Sequence, residues 1–149
     1  MAGKSQPISG TILAKLEAAR IARLATLDAE GRPHIVPVCF VYDRSVFYTA
    51  VDRKPKTVPP EKLARLRHIA AEPQVALLVD EYSEDWARLW FILVRGQANL
   101  IASSAHQERA EAIRRLKDKY PQYASGMLSD DAPIVRITPE RISWWSSIS

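Results

Sequence analysis

The feature that most constrains this chain is a hairpin with prolines in one arm. The run 21–27, Ile-Ala-Arg-Leu-Ala-Thr-Leu, alternates in the way of a half-buried strand. Asp28-Ala-Glu-Gly31 follows as the connecting loop, with Gly31 suited to positive φ. The return run, 32–41, carries Pro33 and Pro37. A proline cannot donate to a strand ladder. Such a strand lies at a sheet edge, at a bulge, or where something other than a neighbouring strand meets the backbone. The hairpin therefore predicts antiparallel pairing, with those three readings open for the arm that carries the prolines.

The rest of the chain fills in around that hairpin. Residues 9–20 read as a helix capped by Ser9 or Thr11, with Ile12, Leu16 and Ala19 on one face. Residues 42–45 turn, and 46–51 form a third strand. Pro59-Pro60-Glu61 opens a second helix, with Leu63, Leu66, Ile69 and Ala70 on one face and Pro73 beyond its end. The apolar run 74–80 predicts a strand covered on both faces. An acidic loop, 81–86, leads into a long strand over 87–101, bent or bulged at Gly96. Ser103 or Ser104 is expected to cap a third helix that runs to Lys119 and breaks at Pro121-Gln-Tyr123. Two closing strands are expected, 133–138 and 141–146. Six or seven antiparallel strands with three intervening helices predict an α+β fold built as a small β-barrel.

Composition sets the outer limits. At 149 residues, 47% hydrophobic and 26% charged, the chain reads as one globular domain spanning 1–149, with residues 1–8 expected to be flexible. No apolar run nears the roughly 18 residues of a membrane helix, and the N-terminus lacks the apolar stretch of a secretory signal. Cys39 is the one cysteine and has no mate for a disulfide. A cytoplasmic protein is the expectation.

Chemistry is concentrated in Val46-Phe-Tyr-Thr-Ala-Val-Asp-Arg-Lys-Pro-Lys-Thr57. A short strand feeds a cluster of Arg53, Lys54, Lys56 and Thr57, with Pro55 stiffening the loop. Charge-assisted hydrogen bonds from such a cluster suit a phosphate; the plain alternative is a solvated basic loop. The net charge of +4 favours anionic partners in general. The cations at 109–119 interleave with Glu111 and Asp118 and read as an ordinary helix surface. Basic residues without interleaved exposed aromatics make a poor single-strand groove, so nucleic acid is not the expected partner.

Several segments, taken in order, resemble the pyridoxamine 5'-phosphate oxidase-like split-barrel flavoproteins, and more narrowly the branch that uses the deazaflavin coenzyme F-420. They are Ala25-Thr-Leu-Asp-Ala-Glu-Gly-Arg-Pro-His-Ile-Val-Pro-Val38, Phe47-Tyr-Thr-Ala-Val-Asp-Arg-Lys-Pro-Lys56, Leu63-Ala-Arg-Leu-Arg-His-Ile69 to Pro73, Val75-Ala-Leu-Leu-Val-Asp-Glu-Tyr82, Asp85-Trp86, Arg95-Gly96 and Tyr120-Pro-Gln-Tyr123. The resemblance spans about residues 10–146. It implies a six- to seven-stranded antiparallel split barrel of the FMN-binding type, working as a homodimer with cofactor at the subunit interface. It implies that His34, Val36, Pro37 and Val38 lie along the flavin ring. It implies that Thr49, Ala50, Val51, Arg53, Lys54, Pro55, Lys56 and Thr57 form the phosphate segment, and that Trp86 and Trp90 approach from the other subunit. Two departures stand out: His68, where the family usually carries Asn, and Phe91-Ile92, where a more polar strand is common.

The implied activity is hydride transfer between coenzyme F-420 and a small unsaturated organic substrate. FMN-dependent oxidase or reductase chemistry is the alternative, and so is a non-enzymatic flavin or haem carrier. The protein's part is to bind, orient and shield the ring, and no catalytic side chain is assigned. His34 is a candidate donor to a flavin carbonyl, or else a half-buried strand histidine. Trp144 and Trp145 read as core or interface aromatics. Asp80, Glu81, Glu84 and Asp85 lack the spacing of a metal loop, so no metal is expected. Cys39 lacks a neighbouring base.

Overall fold

The computed structural model describes residues 5–51 and 64–147. Helix α1, Gly10–Ala18, starts where Ser9 accepts the Ile12 amide on its hydroxyl at 3.2 Å, as an N-cap does. Its apolar residues Ile12 and Leu16 are buried in the core. The strands are β1 (Ala22–Leu27), β2 (Pro33–Val38), β3 (Val41–Tyr42), β4 (Phe47–Ala50), β5 (Gln74–Glu81), β6 (Trp90–Leu100) and β7 (Ile134–Ser146). Helix α2 covers Ala64–Ala71 and α3 covers His106–Lys119. All pairings are antiparallel, in the order β2-β1-β5-β6-β7-β4-β3. The sheet curls into a half-barrel whose concave side holds Leu24, Leu77, Val79, Ile92, Val94 and Ile137 with α1 and α2. A second cluster joins α3 to β4 and the start of β7 through Tyr48, Ala50, Leu116 and Ile134.

Six expectations are corrected. The return run 32–41 is two strands, broken at Cys39 and Phe40. The Phe40 amide leaves the ladder to donate to the Tyr120 hydroxyl at 2.9 Å, and that hydroxyl lies 3.0 Å from the Phe40 carbonyl and 3.1 Å from the Arg20 carbonyl. The two closing strands are the single β7, because it pairs with β6 along its length and absorbs its irregularity in a register shift between Arg95 and Gly96. Strand β5 is buried on one face only, with Ala76 and Leu78 half-exposed on the other. Neither Ser103 nor Ser104 caps α3, which begins at His106 behind Ala105 without a side-chain cap. The long strand also starts later than expected, since Trp86–Arg88 is a short 3-10 turn. Residues 5–7, expected to be flexible, are held against β7: the Gln6 amide donates to the Ile142 carbonyl at 2.8 Å and the Trp144 indole to the Pro7 carbonyl at 2.8 Å.

The convex face mixes apolar residues with Arg23, Asp80 and Arg95. Register places Ile35 beside Ala25, Ala25 beside Ala76, Leu78 beside Leu93, and Phe91 beside Trp145. Ile35 is 63% exposed, and Phe91 and Trp145 stack with ring centroids 6.3 Å apart. Among the described residues no helix is long and apolar enough to cross a membrane.

The Tyr120 hydroxyl bridges α3, the end of α1 and the β2–β3 break. Replacing Tyr120 with Phe strands a buried amide and is expected to cost about 1–3 kcal/mol in urea unfolding. A loss below a few tenths would show that water takes over the contact. The phenols also set an alkaline limit. Burial pushes Tyr120 up to about 12, and burial with a hydrogen bond to Glu108 does the same for Tyr48. A group whose folded value lies above its unfolded 10.0 contributes stability that is whole below pH 10 and is lost as pH climbs toward 12. Urea midpoints are expected to fall through that window, and less steeply in Tyr48→Phe.

Candidate cofactor site

Strand β2 is an edge, and its prolines decide which way its backbone faces. Pro33 lies opposite Leu27 and Pro37 opposite Arg23, while Val36 lies opposite Leu24. Prolines have no amide to give β1, so the bonded pairs are those at His34, Val36 and Val38. The alternate residues turn their backbone outward. The open edge thus presents the carbonyls of Pro33, Ile35 and Pro37 and one amide, that of Ile35. A ring edge with a carbonyl next to an N–H can place that carbonyl on the Ile35 amide and that N–H on a neighbouring outward carbonyl.

His34 points to the concave side with Val36 and Val38. Val38 is buried and the other two are half-buried. The Nδ1 atom of His34 is buried and has no hydrogen-bond partner among the described residues. Across the ladder stands Thr26, 1% exposed. Its hydroxyl lies 2.9 Å from Nδ1 of His68 in α2. The His68 ring meets the His34 ring nearly perpendicular, with centroids 4.9 Å apart.

The other predicted half begins at β4. Thr49, Ala50 and Val51 are buried. The Thr49 hydroxyl donates to the Cys39 carbonyl at 2.7 Å, which ties β4 to the end of β2. Val38, Phe40 and Val51 share one apolar cluster. The curl of the sheet thus brings the His34–Val38 strand and the start of the basic segment to a common seam. Arg53, Lys54, Pro55, Lys56 and Thr57 lie outside the described residues.

The tryptophans do not join them within this chain. Trp86 is 69% exposed on the 3-10 turn. Trp90 is buried, donates its indole N–H to Glu81 at 3.0 Å, and has the Lys15 ammonium 5.9 Å from its ring centroid. The acidic loop is occupied structurally: Asp80 pairs with Arg23 at 2.9 Å, Glu81 also approaches Arg88, and Asp85 caps the 3-10 turn through the Ala87 amide.

Sequence reasoning missed Thr26 and the contact of His68 with His34. His68 drew notice only as a departure at a helix end. The signal was its place in the last turn of an amphipathic helix, one residue before buried Ile69.

Comparison with known proteins bears on these features. A family model described as pyridoxamine 5'-phosphate oxidase matches residues 8–146. A search of curated proteins gave no match. Among solved structures, the heme storage protein of Vibrio cholerae is similar at TM-score 0.72 and 16% identity, covering 95% of each chain. A FAD-binding protein of Mesorhizobium loti is similar at TM-score 0.68 and 23% identity, covering 92% of this chain and 94% of that one. A candidate pyridoxamine 5'-phosphate oxidase of Listeria innocua is similar at TM-score 0.62 and 22% identity, covering 90% and 94%. At such identities the likeness to these structures speaks for the fold.

Proposed function

The chain belongs to the pyridoxamine 5'-phosphate oxidase family, and from that premise we propose that it is an oxidoreductase binding a flavin-type cofactor between two copies of itself. The cofactor we propose is the deazaflavin coenzyme F-420, with a small unsaturated organic compound as hydride partner. The observation that carries this reading is the seam at Cys39, where the open edge of β2 and the buried end of β4 meet through the Thr49 hydroxyl. The ring is proposed to lie along β2, one ring carbonyl facing the Ile35 amide and its N–H facing an outward carbonyl. Lys54 and Lys56, which follow Val51 in the chain, are proposed to hold the phosphate. When bound, such a cofactor supplies the hydride. The residues supply orientation, a dry wall from Val36 and Val38, and a polar contact from His34.

A second copy is proposed as partner on the convex side. The face proposed to meet that copy carries exposed Ile35, Phe91 and Trp145 with half-exposed Leu78 and Leu93. In that arrangement Trp86 of each copy is free to reach the other's cofactor.

The choice between F-420 and FMN rests on the Lys-Pro-Lys and Asp-Trp segments and on the cations Arg53, Arg65 and Arg67, which suit the anionic tail of the deazaflavin. Structural relatives include a heme storage protein and a FAD-binding protein, so haemin and FAD belong in the same test. Purified protein is to be titrated with F-420, FMN, FAD and haemin, reading fluorescence quenching or a Soret band. Micromolar binding of F-420 is the expected result. Binding of FMN alone would move the assignment to the flavin oxidases, and haemin alone to a carrier.

A further inference from the structure

We propose that Thr26 and His68 are positioning residues that fix His34 as the tautomer protonated on Nε2, so that β2 offers a defined hydrogen-bond donor on its concave side. As a statement about cofactor recognition it rests on the reading above; as a statement about tautomers it rests on the geometry alone.

The argument starts at Thr26. Its hydroxyl is buried, and among the described residues its one hydrogen-bond partner is Nδ1 of His68, 2.9 Å away. If the hydroxyl accepted a proton from Nδ1, its own hydrogen would be a buried donor with nowhere to go. That is the more expensive arrangement. Thr26 therefore donates, Nδ1 of His68 is the acceptor, and neutral His68 carries its proton on Nε2. The bond also fixes the plane of the His68 ring.

That ring stands 81° to the ring of His34, with centroids 4.9 Å apart. Beside it, Nδ1 of His34 is buried without a partner among the described residues. A bare lone pair there costs less than an orphaned N–H, since buried unpaired donors are the rarer species. Neutral His34 thus keeps its proton on Nε2. Thr26 sets the plane of the His68 ring, and that ring packs edge-on against His34. A ligand meeting Nε2 must bring an acceptor, such as the carbonyl oxygen of a flavin or deazaflavin ring. A donor at that place would be refused.

The direct test is long-range proton–nitrogen NMR of the imidazoles in the full-length protein, without cofactor and at alkaline pH. The expected spectrum has Nδ1 unprotonated and Nε2 protonated for both His34 and His68. His68→Ala removes the cover and is expected to convert His34 to a mixture of tautomers. The double variant Thr26→Val with His68→Phe keeps a ring in place without the polar pair, and is expected to retain the wild-type His34 pattern. Should His34 of the wild type carry its proton on Nδ1, or should His68→Ala leave its nitrogen shifts unmoved, the proposal is wrong. In the ligand arm, FMN and F-420 titrations should show His68→Ala weakened about three- to tenfold, the worth of one hydrogen bond, and the double variant within about twofold of wild type. A wild-type protein with the fixed tautomer but no affinity for either cofactor would sink the cofactor reading and leave the tautomer assignment standing.

Discussion

Gly96→Ala is expected to lower the stability of this protein by about 3 kcal/mol, and its melting temperature by about 6–12 °C. The reason is space rather than backbone freedom. A Cβ at Gly96 would collide with the carbonyl of Thr138 and crowd Cα of Pro139. Both obstacles are backbone of β7, so no side-chain rotation relieves them. The glycine sits at the point where the pairing slips, Arg95 facing Arg141 but Gly96 facing Pro139, so that Glu140 is the extra residue. On its other side Gly96 pairs with Val75. An added methyl must push β6 and β7 apart at the centre of the sheet. Gly10 offers the control: at the start of α1, a Cβ there meets nothing within 4 Å. Gly10→Ala should unfold with the parent. If Gly96→Ala unfolds within 1 kcal/mol of the parent, about the centre of the range for ordinary substitutions, the strands are not held as close as described.

The largest effect on binding is expected from Lys54→Ala and Lys56→Ala. Each removes a charge-assisted hydrogen bond to the proposed phosphate, worth about 1.5–3 kcal/mol. Affinity for the cofactor should therefore fall about ten- to a hundredfold per lysine, while the unfolding curve stays in place. Raising ionic strength should weaken the wild type and matter less to the double variant, because screening acts on charges that are still there. Undiminished affinity in the double variant would place the phosphate elsewhere, and the arginines at 65 and 67 would be the next positions to replace.

Much of the architecture was legible from local pattern. Ser9 caps α1, Gly31 takes φ +78 in the hairpin loop, and Gly96 marks the irregularity in the long strand. Each of these depends on residues near in sequence. The failures have the opposite character. The break at Cys39 and Phe40 depends on Tyr120, 80 positions away, and nothing in the run 32–41 announces it. The continuity of β7 through Pro139 and Glu140 depends on β6 lying alongside it. The apolar run of β5 suggested cover on both faces, whereas Ala76 and Leu78 lie half-exposed on the convex surface. For the site, Pro33 and Pro37 left an edge strand open as one of three readings, and β2 is an edge. The basic segment falls outside the described residues, so its geometry adds nothing to the sequence reading. The resemblance implied that Trp90 approaches the cofactor from the other subunit. Its indole is instead committed to Glu81 inside its own chain.

The placement of β7 has a consequence for how this molecule comes into being. It is the last strand in the chain, yet it lies between β6 and β4 and is the link that joins β3 and β4 to the remainder of the sheet. A nascent polypeptide still missing that segment holds two unconnected sets of strands, with the β4 rim and the β6 rim both bare. Closure of the half-barrel, and with it the Cys39 seam, must wait until β7 has been made. Until then the exposed rims are templates for pairing with other chains, so a stalled or truncated product should aggregate rather than accumulate as a smaller folded species.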